Sequence, residues 1–269
     1  MSYGSTNASA QCTFTAWSVL GTAGADHVYW RNGGYNPSWF AHNQFGGGGF
    51  FTYPGLTAFT NCLWERVSLS GLSQQIYLYN NLFRGGTLNY GILNGGNNAL
   101  AYDNLFDRTS IINGGPPTYT NVFVSGYNGY VTNYPTLTNS SGHDRVLTNS
   151  PLYQTSYLGN YYYPTNDGML STLIDAGSRW ATNAGLYQFT TTTNQVKEGA
   201  TMVDIGFHYV AVDSNGNPID TNGDGIPDYL SDSNGNGSVD SGEIGWNLTG
   251  DLGLKVLITR PRNGDVPQP

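Results

Sequence analysis

The sequence predicts an all-β protein in which short strands stack as the coils of a solenoid. Only 10% of its 269 residues are charged, whereas 37 are Gly and 20 are Tyr. That composition fits neither a coiled coil nor an ordinary helical domain. The second observation is a short motif that recurs at near-regular intervals in the first half of the chain. Together, the two observations favour many short strands joined by tight turns.

Each copy of the motif has an amide or acidic residue followed by an apolar pair. The aromatic ends of the four clearest copies lie at residues 45, 64, 83 and 106, so they are 19, 19 and 23 residues apart. A weaker copy ends at Phe123, 17 residues later. Alternation of apolar and polar residues within the copies indicates strands, and the Gly and Asn residues between them indicate turns. The four copies are residues 40–45, 60–64, 79–83 and 102–106.

A single coil of this kind cannot bury its own apolar face, so successive coils must stack. We expect Phe45, Leu63, Leu82 and Leu105 to face the interior of the stack. Asn tolerates a left-handed backbone, and its side-chain amide can bond the amide of the next coil, so Asn is expected to line the bends. The alternative is an antiparallel sandwich whose strands are similar by chance.

Two segments resemble a known class of proteins. N-N-L-F at residues 80–83 and N-C-L-W-E-R at residues 61–66 are similar to the rungs of right-handed parallel β-helix proteins secreted by soil bacteria. V-D-I-G-F-H-Y at residues 203–209 resembles the last coil of the same proteins. The resemblance covers roughly residues 36–210. It implies that this part of the chain is a right-handed parallel β-helix.

The acidic residues are concentrated near the C-terminus, where residues 213–251 hold eight Asp or Glu and no Lys or Arg. Residues 232–243 satisfy the loop pattern D-x-[DN]-x-[DN]-G-x₅-E, in which alternate oxygen ligands surround Ca²⁺. Residues 220–228 repeat the early spacing, although Ser231 stands where the pattern has Glu. The alternative is a solvated acidic linker. The predicted Ca²⁺ ligands are Asp220, Asn222, Asp224, Asp228, Asp232, Asn234, Asn236, Ser238, Asp240 and Glu243.

These loops resemble EF-hand loops, thrombospondin type 3 repeats and dockerin-like loops, in which Ca²⁺ organises a segment with almost no core. The chain is therefore predicted to divide into a β-helix over residues 1–212 and a calcium-binding module over residues 213–251. Within residues 252–269, the segment L-K-V-L-I-T-R-P-R-N-G at residues 254–264 resembles the first strand and turn of an immunoglobulin-like domain. Residues 252–269 are therefore predicted to be the start of a truncated domain of that kind, or a linker.

Charge and hydropathy restrict the partners. A net charge of −8 with only two Lys cannot provide the basic surface that nucleic acids require. No apolar stretch is long enough to cross a bilayer, and a monomer is expected. The N-terminus lacks the regions of a signal peptide, yet the low Lys content is typical of secreted or cell-surface bacterial proteins. Cys12 and Cys62 either pair or are buried separately.

None of the common catalytic motifs that we sought occurs in the sequence. When the copies are aligned on their aromatic ends, Glu65, Arg84 and Asp107 form a column of alternating charge on the outer face. These three residues are candidate catalytic groups, and a ladder of surface salt bridges is the alternative. His143 is a fourth candidate because it lies in a polar loop.

Aromatic side chains also occur on the predicted strands, where they could stack on sugars. Because half of any β-helix strand points inward, we expect most of them to pack in the core. The residues concerned are Trp39, Tyr77, Tyr79 and Tyr102.

The chain also resembles calcium-dependent acyl-homoserine lactone hydrolases known from metagenomes. That resemblance implies that Ca²⁺ helps water to open a small ester or lactone. A polysaccharide lyase or glycosidase, which would take a carbohydrate, is an alternative by analogy with the β-helix architecture alone. A noncatalytic surface or adhesion segment is the other alternative.

Overall fold

The computed structural model describes residues 13–15, 26–31, 38–53, 55–71, 75–90, 99–112, 123–137 and 140–248. The predicted immunoglobulin-like or linker segment and Cys12 lie outside the described residues. Nearly all regular structure in the described part of the chain is β. The strands are β1 Thr13–Thr15, β2 Asp26–Arg31, β3 Ser38–Ala41, β4 Gln44–Gly46, β5 Gly49–Tyr53, β6 Leu56–Thr60, β7 Leu63–Glu65, β8 Ser68–Gly71, β9 Gln75–Tyr79, β10 Leu82–Arg84, β11 Thr87–Tyr90, β12 Ala99–Tyr102, β13 Leu105–Asp107, β14 Ser110–Ile112, β15 Phe123–Gly126, β16 Gly129–Val131, β17 Arg145–Leu147, β18 Gln154–Ser156, β19 Gly159–Tyr162, β20 Phe189–Thr190 and β21 Tyr209–Val210. The helices are a 3₁₀ helix Leu170–Leu173 and two four-residue helices, α1 Ala181–Ala184 and α2 Asp228–Ser231.

The strands β1–β17 form three parallel sheets, because each coil contributes one short strand to each sheet. The first sheet has the order β1-β4-β7-β10-β13-β16-β17, the second β14-β11-β8-β5-β2 and the third β15-β12-β9-β6-β3. Within a coil the chain passes from the third sheet to the first and then to the second. Four complete turns from β3 to β14 result, which confirms the predicted all-β class and the parallel β-solenoid.

The aromatic ends of the motif lie in register in the first sheet. Phe45 pairs with Trp64, Trp64 with Phe83, and Phe83 with Phe106. Their rings stack inside the solenoid with centroids 4.0, 5.6 and 5.2 Å apart. The predicted alignment of the copies is therefore confirmed. The row of rings forms the middle of the solenoid core.

The next member of this row is Tyr130, so the assignment of the weaker copy to Phe123 is wrong. Tyr130 pairs with Phe106 and stacks on it at 5.3 Å, whereas Phe123 begins a strand of the third sheet. The motif was hidden because Gly129 occupies the position of the leucine. A Cβ at Gly129 would lie 2.8 Å from the end of the Leu105 side chain, so a larger residue there would require Leu105 to shift.

The three leucines of the motif do not face the solenoid interior, which corrects the sequence-based expectation. Leu63, Leu82 and Leu105 are buried, but they belong to a second core on the outer side of the first sheet. Successive side chains of a strand point to opposite faces, so the aromatic residue of each pair takes the interior and the leucine takes the outside. Phe45 faces inward as expected.

A segment that we call the cover, residues 148–212, packs over these leucines. Leu173 and Ile205 of the cover belong to the same cluster. Its strand pairs are antiparallel, β18 with β19 and β20 with β21, so the described parallel strands end at β17 rather than continuing to residue 210. Only Tyr209–Val210 of the expected last strand is a strand. The remainder bonds the cover itself and both side chains and backbone of the solenoid, instead of pairing as a strand with another coil.

A ladder of buried asparagines stabilises the bend that precedes the first sheet. Asn104 Oδ1 accepts a hydrogen bond from Asn81 Nδ2 at 2.8 Å, and Asn128 Oδ1 accepts one from Asn104 Nδ2 at 3.0 Å. Each of the three amides also donates to a carbonyl oxygen of the preceding coil. Asp144 ends the ladder by accepting from the Asn128 backbone N–H. The expected bonding of one coil's amide to the next is confirmed.

The tyrosines of the third sheet point outward, so the expectation that they pack in the core is wrong. Along β9, Ile76 and Leu78 are buried while Tyr77 and Tyr79 are partly exposed. Trp39 on β3 is 64% exposed. On β9, aliphatic side chains fill the interior beside these tyrosines. The aromatic rings therefore form a row on the outer surface.

Cys62 is a free and buried thiol that donates to the carbonyl oxygens of Phe40 and Thr60. Burial raises the pKa of this thiol to about 12, so it stays protonated at neutral pH. Cys62 therefore behaves as a small apolar residue of the core.

Candidate functional site

A column of polar residues with left-handed backbone connects the solenoid to the cover. His42, Asn61, Asn80 and Asp103 occupy the same corner of successive coils, with φ between 50° and 63°. Asn61 bonds the backbone of His208 twice, accepting from its N–H at 2.7 Å and donating to its carbonyl at 2.9 Å. The Asn61 side chain thereby forms the two hydrogen bonds that the backbone of a neighbouring strand would otherwise form with His208.

Two more residues of this column hold the same stretch of the cover. Asn80 donates to the carbonyl oxygen of Asp204, and the carbonyl oxygen of Asp103 accepts from Gly206. The Asp103 carboxylate faces Arg179 at 3.5 Å and accepts from Ser178. These bonds fix residues 204–208 against the solenoid. They also hold the ionisable side chains of Asp204 and His208 in a buried position.

Those two side chains, together with Glu198, form a buried cluster. One ligand atom from each of Glu198, Asp204 and His208 lies within 4.8 Å of the other two. His208 Nε2 is 3.1 Å from Glu198 Oε1. The exposed fractions of the three residues are 6%, 4% and 0%. No other group of three such side chains is found among the described residues.

Burial changes the protonation of all three groups. It raises the pKa of Glu198 to about 8. It also raises the pKa of Asp204 to about 8, and the nearby Glu198 charge adds to that increase. It lowers the pKa of His208 to about 4, so this imidazole is neutral at pH 7. Perturbed groups that lie together beside a cavity are typical of functional sites.

The two carboxyl groups line a cavity of about 320 Å³ that opens to solvent. Lys197 and Asp175 also line it, so it carries charges of both signs. The Asp204 carboxylate is held in place by hydrogen bonds from the Asp175 backbone N–H, at 2.7 Å, and from the Thr191 hydroxyl. Glu198 accepts from the Asp204 backbone N–H at 3.1 Å. Hydrogen bonds thus hold both carboxyl groups in place, and the cavity beside them is open to solvent.

The charged column predicted from the motif is present, but it is less exposed than expected. Arg84 lies between Glu65 and Asp107, with nitrogen-to-oxygen distances of 3.6 and 3.5 Å. Asp107 is fully buried, and Arg84 lies over the ring of Tyr161 from the cover. The three residues therefore form the ion-pair ladder that was the alternative. Their catalytic role stays a prediction.

His143 lies at the end of the solenoid, where its ring stacks on Tyr127 at 4.6 Å. It is exposed and is not among the residues that line the 320 Å³ cavity. Of the catalytic candidates, the structure therefore brings together Glu65, Arg84 and Asp107, and it places His143 in a different surface.

The predicted calcium loops lie against the cover. In the first loop, the Asp220 carboxylate accepts from the Gly223 and Gly225 N–H groups, both at 2.8 Å. Asn222 and Asp224 are buried beside it and share a hydrogen bond at 3.3 Å. The donor set consists of carboxylate, amide and carbonyl oxygens, which fits Ca²⁺.

In the second loop, the Asp240 carboxylate accepts hydrogen bonds from two asparagine side chains. Asn234 and Asn236 both donate to its Oδ2, at 2.8 and 2.7 Å. Glu243 accepts from the Asp240 backbone N–H, and Ser238 is exposed nearby. Asp232 is buried and accepts from Gln188 of the cover. All the predicted ligands of this loop would bind Ca²⁺ through side-chain oxygens, except Ser238, which would use its backbone carbonyl oxygen.

Lys197 connects the first calcium loop to the cavity. Its Nζ is 2.7 Å from Asp228 Oδ2 and 2.6 Å from Gln188 Oε1, and Gln188 in turn bonds Asp232. Two predicted calcium ligands are thereby linked to a residue that lines the cavity. Binding of a cation by Asp228 would therefore directly change the ion pair that holds Lys197.

Sequence reasoning did not place Glu198, Asp204 or His208 among the candidate site residues. Asp204 and His208 stand at even spacing in V-D-I-G-F-H-Y, between Val203, Ile205 and Phe207, which are all buried. Polar residues that alternate with a fully buried set are the pattern that could have identified them. Glu198 lies in an irregular loop, so no periodic pattern in the sequence marks it.

Neither the protein-family models, the curated proteins nor the solved structures include a match to this chain. In the described part of the chain, no helix has both the length and the apolar character needed to cross a membrane.

Proposed function

We propose that this protein hydrolyses a small ester or lactone, of the acyl-homoserine lactone type, in the cavity above Glu198 and Asp204. The observation that carries the proposal is the pair of buried carboxyl groups lining a solvent-open cavity of about 320 Å³. Such a cavity matches the lower end of the size range of small-molecule sites. Lys197 supplies a positive charge at its wall.

The chemistry requires a base, a nucleophilic water and a group that stabilises negative charge. Above the pKa of about 8 that burial gives Glu198 and Asp204, one carboxylate takes a proton from water, and the resulting hydroxide forms a bond to the carbonyl carbon. The ester C–O bond then breaks, and the leaving alkoxide takes the proton back from the carboxyl group. The positive charge of Lys197 stabilises the oxyanion formed between these steps. The products are an acid and an alcohol, which remain joined when the substrate is a lactone.

The proposed dependence on calcium arises from residues 220–243 of the acidic C-terminal segment. When Asp228 binds Ca²⁺, its carboxylate no longer needs Lys197 as a counter-ion, and Lys197 is left to the cavity that it lines. The contacts of Lys197 with Asp228 and Gln188 support this coupling. We therefore propose that residues 220–243 bind Ca²⁺ and that hydrolysis depends on it. The protein is proposed to act outside the cell, as its composition indicates.

We expect the purified chain, once freed of metal, to bind at least two Ca²⁺ ions. The two loops offer carboxylates at ligand spacing, and Ca²⁺ relieves the repulsion between them. Isothermal titration calorimetry measures the stoichiometry. The double variant Asp224→Ala, Asp232→Ala should lose both ions, whereas Asp213→Asn, outside the predicted ligand set, should keep them. An unchanged stoichiometry in the double variant would show that the ligand assignment is wrong.

Hydrolysis is tested with chromogenic esters, acyl-homoserine lactones and uronate polysaccharides, each in Ca²⁺ and then in EGTA. We expect turnover of an ester or a lactone in Ca²⁺ and its loss in EGTA. Glu198→Gln and Asp204→Asn should lower kcat by about 100-fold or more, the usual contribution of general acid–base catalysis. Asp213→Asn is the control and should leave kcat unchanged.

Two outcomes would contradict the cavity as the active site. Full kcat in Glu198→Gln and Asp204→Asn is one of them. The other is a loss of kcat in Glu65→Gln alone, which would place catalysis on the ion-pair ladder. If no substrate of the panel turns over, the proposal of a hydrolase is wrong and the noncatalytic surface segment is favoured.

The outward-facing aromatic row favours carbohydrate as a second candidate substrate. Trp39 and Tyr77 lie on the outer face of the third sheet, and Tyr79 and Tyr102 stack beside them at 6.4 Å. Flat aromatic surfaces of this kind suit sugar rings. In the same panel, polysaccharide turnover that falls in Tyr77→Ala but not in Glu198→Gln would support this candidate.

A further inference from the structure

We propose that Glu198, Asp204 and His208 bind one divalent transition-metal ion of the zinc type, with an open coordination position facing the cavity. This inference rests on the proposed function and refines it, because the bound metal, rather than a free carboxylate, activates water in the same cavity. It adds a metal distinct from the calcium predicted in the tail.

The first argument is the state of the His208 side chain. This imidazole is fully buried, yet within the described part of the chain its Nδ1 has no hydrogen-bond partner. Its Nε2 has only the contact with Glu198 Oε1, at 3.1 Å, which is not aligned as a hydrogen bond. Buried polar atoms are nearly always satisfied, so an unsatisfied buried imidazole indicates a partner of another kind. Neutral imidazole is the commonest protein ligand of transition metals.

The second argument is the charge of the cluster. Glu198 and Asp204 are both more than nine-tenths buried, and among the described residues no Lys or Arg forms an ion pair with either carboxylate. Ionising two neighbouring buried carboxyl groups without a counter-ion is costly. A divalent cation removes that cost because it supplies two positive charges at the point where the carboxylates meet.

The third argument is the ligand chemistry. One imidazole nitrogen and two carboxylates match zinc and its divalent neighbours, whereas Ca²⁺ takes oxygen ligands. Three protein ligands beside a cavity leave one position for water, as in catalytic zinc sites. Asp204 is already oriented by the Asp175 N–H and the Thr191 hydroxyl, which are the outer contacts that a metal-binding carboxylate needs.

The test begins with the full chain, stripped of metal by a chelator and returned to excess calcium. Co²⁺ is then titrated while visible absorption and calorimetry are recorded. We expect one Co²⁺ to bind in addition to the calcium ions, and Zn²⁺ to displace it. X-ray absorption of the zinc-loaded protein should show one imidazole nitrogen among oxygen ligands. Absence of binding, or a site without imidazole, would overturn the inference even if no variant were made.

Variants then locate the site. Glu198→Gln and His208→Gln should weaken Co²⁺ binding by at least about 100-fold, the upper end of what loss of an outer contact causes. His143→Gln, at the exposed histidine, should bind as the unmodified chain does. Circular dichroism shows which variants fold. If neither Glu198→Gln nor His208→Gln folds, the Co²⁺ titration and X-ray absorption of the unmodified protein decide whether the metal site exists. Unchanged binding in a folded His208→Gln variant contradicts the proposal.

The outcomes separate this inference from the proposed function. Metal binding without turnover of any substrate supports the metal site and contradicts the hydrolase. Turnover by protein that is saturated with calcium but free of transition metal supports the hydrolase and contradicts the role of the metal in activating water, while absence of Co²⁺ binding contradicts the metal site itself.

Discussion

Replacement of Asn104 by Ala should lower the free energy of unfolding by about 3–5 kcal/mol. The side chain accepts from the backbone N–H and Nδ2 of Asn81, and donates to Asn128 Oδ1 and to the carbonyl oxygen of Leu78. All of these partners are buried in neighbouring coils. Alanine leaves them unsatisfied, and each buried unsatisfied group costs about 1–3 kcal/mol.

Urea denaturation followed by circular dichroism measures this loss. Asn89→Ala is the matched control, because Asn89 lies on β11 with its side chain partly exposed on the outer face. That substitution should change the free energy of unfolding by less than about 0.5 kcal/mol. Equal effects of the two substitutions would mean that the asparagine ladder does not hold the coils together.

Replacement of Leu105 by Ala should cost about 2–5 kcal/mol and should also loosen the cover. Leu105 is fully buried between the first sheet and the cover, where it shares a cluster with Leu173 and Ile205. The cavity left by the substitution lies at their junction. Hydrogen exchange should therefore become faster in the cover, while the exchange of the solenoid strands changes less.

Leu100→Ala is the control for this prediction, since Leu100 lies on β12 with its side chain partly exposed on the outer face of the third sheet. It should have a smaller effect on stability and none on the exchange of the cover. Faster exchange in the solenoid strands alone would indicate that Leu105 faces the interior, as the sequence first indicated.

The register of the solenoid could be predicted because it is local and repetitive. Phe45, Trp64, Phe83 and Phe106 were aligned correctly from their spacing, and the same alignment placed Glu65, Arg84 and Asp107 in one row. Each coil contacts only its neighbours, so a repeated pattern in the chain becomes a repeated position in space. Asparagine at the bends follows from the same reasoning.

The sequence could not tell which apolar residue of each pair faces inward. Both residues are buried, since the cover makes a second core on the outer side of the first sheet. Alternation indicates two faces, but it does not identify the interior when neither face meets water. A different limit applies to Tyr77 and Tyr79, whose outer face does meet solvent: each alternates with an apolar residue, so the pattern does not show which of the two faces inward.

By itself, then, the sequence determined the all-β class, the stacked coils, their register and the oxygen-rich loops of the acidic tail, because each depends on residues close together in the chain. Only the tertiary structure decided that Glu198, Asp204 and His208 meet. Their cluster forms because Asn61 and Asn80, more than a hundred residues earlier, bond the backbone of the cover and hold it against the solenoid. A contact made by an irregular segment across such a separation leaves no period in the sequence.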